Sequence, residues 1–137
     1  MRIMGRYEKV LNMLMDYDES IRLAVISNTS GDILWNSKRS DAKLQVPIAE
    51  TKKALKHESE DWADRCKAAD RIALGAPLYH ITSFEKTKRV TLPLDAFHLL
   101  FLSVDNTPMK KTKTKSYGKM VEMGKILSIV DFVNTFE

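Results

Sequence analysis

Three histidines, His57, His80 and His98, and one cysteine, Cys66, are the side chains in this sequence best suited to metal ligation or nucleophilic chemistry. A metal site built on such residues needs companions at fixed offsets, such as a second histidine four residues along a helix or a C-x-x-C pair. None of the four has one, and no HExxH pattern occurs. Asp95, His98 and Ser103 supply the residue types of an acyl-transfer triad. No GxSxG elbow accompanies them, and a triad is defined by geometry rather than by composition. His98 fits better as an interior histidine held by hydrogen bonds. Cys66 is reactive only if its thiol pKa is lowered. Arg65 and Lys67 adjoin it, but successive residues on a helix point in different directions. The five glycines stand singly and form neither GxGxxG nor a Walker loop, so there is no glycine-rich phosphate cradle. These residues point to no catalysis, no cofactor and no metal.

The sharpest charge feature is Lys110–Lys119, which holds Lys110, Lys111, Lys113, Lys115 and Lys119 and no acid. The whole chain has 22 basic and 18 acidic residues, a formal charge of +4. Without those five lysines, 17 basic residues face 18 acidic ones, so the positive excess is one local cluster and the rest is a near-neutral mixed surface. The cluster is either a solvated loop or a contact for nucleic acid, anionic lipid or an acidic protein. Five phosphate contacts give a duplex-DNA salt slope of about 4.5, roughly a 500-fold loss between about 50 and 200 mM salt. Such binding is weak and salt-dependent. Thr112, Thr114, Ser116 and Tyr117 add hydroxyls, but a single aromatic makes no stacking platform.

At 137 residues, with 44% hydrophobic and 29% charged, the chain reads as one soluble globular domain, residues 1–137, with residues 105–117 as a basic loop. One cysteine excludes a disulfide framework. No signal-peptide pattern follows Arg2 and Arg6, and the longest apolar run, Phe97–Val104, is far short of the ~20 residues of a spanning helix. A cytoplasmic location is expected.

The elements that must position these residues follow from periodicity. Ile3, Met4, Tyr7, Val10, Leu11, Leu14 and Met15 recur at helical spacing, leaving Arg6 outside, and the helix should stop near Asp16–Asp18. Ile21–Ser27 and Ile33–Ser37 flank Asn28–Asp32 as a hairpin. Both faces of Ile21–Ser27 are apolar, with Ile21, Leu23 and Val25 on one and Ala24 and Ile26 on the other, which predicts a central strand. Pro47 suits the first turn of a long helix whose stripe runs Ile48, Leu55, Trp62, Cys66, Ala69, with a break possible over Lys56–Asp61 and Ser59 as a second cap. Gly75 and Pro77 end it. Three strands follow: Leu78–Phe84, Arg89–Leu92 with an end or bulge at Pro93, and a central His98–Val104. A last helix over Tyr117–Phe136, capped by Ser116, carries more apolar residues than one stripe holds, so it is deeply buried or offers a face to a partner. The order α-β-β-α-β-β-β-α predicts an α/β (α+β) domain: a five-stranded, mostly antiparallel sheet with helices on both faces.

The segments DESIRLAVISNTSGDILW (Asp18–Trp35) and VTLPLDAFHLLFLSVD (Val90–Asp105), with the long charged helix between them, resemble the roadblock family of profilin-like domains, and most closely short archaeal proteins of that kind. The likeness spans about Asp18–Asp105 and does not include the lysine cluster. It carries no catalytic residues. It implies a non-enzymatic interaction module: a homodimer formed by edge pairing of the third strand with the long helices alongside, serving as a scaffold or regulator of a small GTPase or signalling partner. Carried onto this chain, the interface would be Leu78, His80, Thr82 and Phe84 on the strand, with Trp62, Cys66 and Ala69 on the helix. Independently, an edge strand blunted only by Glu85-Lys86 is expected to find a partner. The alternative for Trp62 and Cys66 is ordinary core against the sheet. The alternative for the whole domain is a small-ligand sensor of PAS or profilin-like type, with an interior pocket near His80, His98 or Trp62.

Overall fold

The computed structural model describes residues 5–39, 48–106 and 121–136, apart from the side chains of 48, 49 and 136. The elements run α1 (Arg6–Tyr17), β1 (Ile21–Asn28), β2 (Ile33–Lys38), α2 (Ile48–Arg71), β3 (His80–Ser83), β4 (Thr87–Asp95), β5 (His98–Asp105) and α3 (Met123–Phe136), the order expected from the sequence. The strands form one sheet, β2-β1-β5-β4-β3, antiparallel at every pairing.

The two apolar faces of β1 and β5 are covered as their patterning requires. On one face α1 and α3 pack Val10, Leu14, Ile126 and Val133 against Ile26, Val90, Leu92, Leu100 and Leu102. On the other, α2 packs Leu55 and Trp62 against Val25, Leu99 and Phe101. Full burial of such side chains contributes about 1.5–3 kcal/mol each, so α2 is held by fewer contributions than the α1–α3 layer. Residues facing inward on β5 divide as the sequence predicts, Leu100, Leu102 and Val104 to one side and Leu99 and Phe101 to the other. On β1 one residue departs from the expected alternation. Ile21 joins Ala24 and Ile26, not Leu23 and Val25, because the pairing with β5 shifts register between Ile21 and Leu23. A bulge of this kind turns the next side chain to the other face.

The turn between β1 and β2 is built by Asn28, whose Oδ1 accepts from the backbone N–H of Ser30 and Asp32, both at 3.0 Å. Gly31 stands at φ +87°, and a Cβ there would lie 2.8 Å from the Cα of Lys56, so the turn is pressed onto the backbone of α2. Helix α2 is continuous from Ile48 to Arg71. The break weighed over Lys56–Asp61 does not occur: Ser59 donates to the Leu55 carbonyl one turn back at 2.9 Å instead of capping a second helix. Beyond β2, Arg39 donates to the carbonyls of Met15, in the last turn of α1, of Asp18 just after it, and of Ile21 at the start of β1, at 2.7–2.8 Å, tying the three together.

Strand β3 is shorter than the expected Leu78–Phe84 and β4 longer than Arg89–Leu92. One residue explains both. Phe84 donates its N–H to Thr87 O, so in this register the residues of β4 that bond toward β3 are Thr87, Arg89, Thr91 and position 93. Position 93 is proline, which has no N–H to give Leu78, so β3 stops pairing at His80. Toward β5 the missing N–H costs nothing, and β4 continues to Asp95 with a register shift after Pro93. The final helix begins, among the described residues, at Met123; Pro47, Ser116 and Tyr117 lie outside them.

Candidate functional site

The open edge of β3 is the first candidate. Ile81 leans toward the α1–α3 layer and packs on its core. His80 and Thr82, paired with Thr91 and Arg89, point to the α2 side, where Thr91 donates to Glu58 of α2. The connection from α2 and the ends of this strand concentrate exposed apolar residues: Ile72 (66% exposed), Leu74 (74%), Leu78 (63%), Tyr79 (44%) and Phe84 (50%). The sequence predicts Leu78 and Phe84 for the interface and misses Ile72, Leu74 and Tyr79. Their signal is a local one: Ile72 and Leu74 are apolar residues just before the Gly75–Pro77 helix stop, and Tyr79 stands just after it. The guanidinium of Arg89 lies 5.5 Å from the centre of the Phe84 ring and covers part of it. The turn itself is firmly held: Asn106 donates to the Phe84 carbonyl at 2.7 Å, and the ammonium of buried Lys88 donates to Asn106.

The helix positions predicted for the same interface are placed differently. Trp62 and Ala69 are buried within the chain, 7% and 8% exposed, and Cys66 is half-buried beside the Trp62 cluster. That is the core alternative weighed for this stripe. Their side chains spend their apolar surface on the sheet. The lysine cluster, Lys110, Lys111, Lys113, Lys115 and Lys119, lies outside the described residues, and nothing in the comparisons below supports a nucleic-acid or lipid partner.

A second constellation joins Asp95 and His98, which the sequence set beside each other, to Arg6, Tyr7 and Trp35, which it did not. Asp95, at the end of β4, accepts from the backbone N–H of Phe97 at 2.8 Å, closing the β4–β5 turn. The same carboxylate meets Nδ1 of His98 at 2.7 Å, the Tyr7 hydroxyl at 3.0 Å and the Arg6 guanidinium at 3.0 Å. A carboxylate only accepts, so His98 Nδ1 carries its proton toward Asp95. Tyr7 accepts from Arg6 at 2.7 Å and stacks on Trp35 of β2, ring centres 4.3 Å apart. Burial pushes the Asp95 carboxyl upward. The hydrogen bonds from Phe97, His98 and Tyr7, together with the charge of His98, outweigh this and hold its pKa below the ordinary carboxylate value. The cluster ties the first turn of α1 to β2 and to the β4–β5 turn.

The cluster does not make a catalytic site of the triad type. His98 faces α1, whereas Ser103 lies on the opposite face of β5 in the row of Leu99 and Phe101. Among the described residues no group of three or more His, Cys, Asp or Glu is placed to hold a metal. Between the sheet and α2, the described residues Val25, Leu55, Leu99 and Phe101 pack around Trp62. An open depression of about 530 Å³ is lined, among the described residues, by Asp64, Lys67, Asp70 and Arg71 of α2, away from the expected interior position. No described helix is long and apolar enough to cross a membrane.

No protein-family model and no curated protein sequence matches the chain. Solved structures do. The gliding protein MglB of Thermus thermophilus is similar with a TM-score of 0.67 at 15% identity, over 97% of this chain and 88% of that one. A second MglB structure, described as having a tetrameric arrangement, is similar to the same extent, with a TM-score of 0.67, 15% identity and coverage of 97% and 88%. A Roadblock/LC7 domain from Streptomyces avermitilis is similar with a TM-score of 0.63 at 10% identity, over 93% of each chain. Five antiparallel strands, two helices on one face and a long one on the other thus share one architecture with these proteins, and the chain has the Roadblock/LC7 fold.

Proposed function

We propose that this protein is a non-enzymatic, cytoplasmic interaction module that works as a homodimer, akin to the short archaeal proteins its sequence resembles. In this reading it is a scaffold or regulator for a small GTPase or another signalling protein, the role implied by the resemblance in Asp18–Asp105. The observation that carries the reading is the β3 edge. It is unpaired among the described residues, and Leu78, Tyr79 and Phe84 are exposed along it beside Ile72 and Leu74. An unprotected edge with apolar flanks is a template for a further strand. The tetrameric arrangement described for one MglB structure supports self-association in this fold.

The test is light scattering at tens of micromolar. A dimer has twice the 15.7 kDa chain mass. Leu78→Asp and Phe84→Asp each remove about 1.5–3 kcal/mol of apolar burial from the interface, a roughly 10- to 100-fold weaker dimer. A strictly monomeric wild-type protein overturns the reading. A pull-down from the native cell, scored for nucleotide-binding proteins, tests the partner class.

A further inference from the structure

The sheet has a second edge, and its chemistry differs from that of β3. We propose that the outer edge of β2 receives an extended segment of a partner protein in which acidic and apolar residues alternate. This stands apart from the homodimer reading, because β2 and β3 lie at opposite ends of the strand order.

The backbone of β2 is open along its regular part. Among the described residues the strand pairs only with β1. The N–H of Arg39 donates to the Arg22 carbonyl at 3.1 Å, so Arg39 turns its groups inward. By alternation Ser37 and Trp35 do the same, whereas Asn36 and Lys38 aim their N–H and C=O groups outward. Leu34 is the extra residue of a bulge that ends this stretch, since Trp35 stands opposite Ile26 and Ile33 opposite Ser27. The edge thus offers donors and acceptors over Asn36–Lys38.

The two faces of β2 carry different chemistry. Trp35, opposite Ile26 of the α1–α3 core, lies on that side and stacks on Tyr7. The Tyr7 hydroxyl is fixed in turn by Arg6 and Asp95, so the indole is a held apolar surface, 36% exposed. Lys38, opposite Leu23 of the α2 layer, lies on the other side. Helix α2 adds charge there. Lys56 stands over the turn that leads into β2, its Cα in contact range of Gly31, and Lys52 lies one turn earlier on the same flank. All three lysines are exposed, and none has an ion pair among the described residues. The nearby acids are Asp32, held in the turn by Nδ2 of Asn28 at 3.0 Å, and Glu60, one turn beyond Lys56. Neither is paired with a lysine of the edge.

A strand sends successive side chains to opposite faces. A segment laid on β2 therefore turns every second residue toward Trp35 and the others toward Lys38, Lys52 and Lys56. Apolar residues suit the first set and carboxylates the second. The same lysines oppose a second copy of this chain, since a two-fold axis through this edge puts the lysines of both copies on one face. Charge guards the edge against self-pairing and selects an acidic strand for it.

The probe is a fluorescein-labelled peptide of about ten residues alternating Glu and Val, followed by fluorescence anisotropy at about 50 mM salt. Saturable binding is expected, and none is expected for the Lys–Val counterpart. Lys38→Glu combined with Lys56→Glu should weaken binding roughly tenfold or more. Asn36→Pro removes an outward N–H and no bond to β1, and should weaken it similarly, whereas Asn36→Ala should keep most of the affinity. N-methylating the peptide backbone, at every Glu in one version and at every Val in another, reads the same hydrogen bonds without altering the protein, and one of the two versions should fail to bind. Absence of saturable binding by the Glu–Val peptide, or equal binding of the Lys–Val peptide, overturns the proposal. Undiminished binding by the charge-reversed protein overturns the selection of acidic residues. Undiminished binding of both methylated peptides overturns the strand pairing.

Discussion

Replacing Asp95 by Asn probes the contact that fastens α1 to the rest of the domain. The carboxylate accepts from Phe97 N–H, His98, Tyr7 and Arg6. Asn keeps one oxygen, enough for the Phe97 N–H, but turns an amide donor toward other donors. Hydrogen bonds to a charged group contribute about 1.5–3 kcal/mol each when isolated. They are not additive around one carboxylate, and the Arg6 side chain is 36% exposed, so its ion pair adds under about 1 kcal/mol. The expected loss is therefore about 2–3 kcal/mol, a fall in Tm on the order of 10 °C for a domain of this size. The effect has a pH signature. The folded-state pKa of Asp95 lies below its ordinary 3.8, so its contribution is complete above that value and fades as pH drops through the lower folded value. The gap between wild type and Asp95→Asn is widest near neutrality and closes on acidification below the ordinary value. Thermal melts by circular dichroism at matched protein concentration, at neutral pH and stepwise into acid, measure this. A variant within about 0.5 kcal/mol of wild type at neutral pH, or a gap that persists unchanged into acid, refutes the assignment of Asp95 as the hub.

Other expectations follow from single contacts. Gly31→Ala should destabilise by at least about 1–3 kcal/mol, because the positive φ is strained for alanine and the new methyl meets the Lys56 Cα; urea denaturation measures it, and a neutral result contradicts the close approach of turn and helix. Arg39→Ala removes a donor from the carbonyls of Met15, Asp18 and Ile21, of which that of Asp18 keeps the Ile21 N–H, and should cost about 2 kcal/mol, read the same way. Trp62→Ala should lower the stability of the domain by about 3–5 kcal/mol; a variant with unchanged stability and only weakened self-association would put Trp62 in the seam and not in the core.

The fold was legible because its strands alternate over short distances. β1 and β5 carry apolar residues on both faces, which no edge strand needs, and the hairpin loop and the helix stop at Gly75–Pro77 punctuate the rest. What escaped was whatever depends on pairing between distant residues. The Asp95 hub joins residues 88 to 89 positions apart in sequence, Tyr7 and Arg6 with Asp95, so no local pattern announces it. Arg6 reads as an exposed helix position because helical periodicity says nothing about a turn arriving from β4. The bulge after Ile21 is equally silent, since its residues are apolar on either face.

Pro93 marks the boundary between what was legible and what was not. Its missing N–H was readable as an interruption of β4. Which neighbour it deprives depends on register, and register is not local. In the folded chain the gap faces β3, so β4 runs on beside β5 while Leu78 and Tyr79 are left outside the ladder. One imino acid thereby converts two β-forming residues into exposed edge. An edge that ended flush with β4 would comprise only four residues, His80–Ser83; Leu78 and Tyr79 prolong it beyond the ladder. The apolar overhang is thus the consequence of a single missing donor on β4, and its exposure follows from register and not from the residues' own β-forming character.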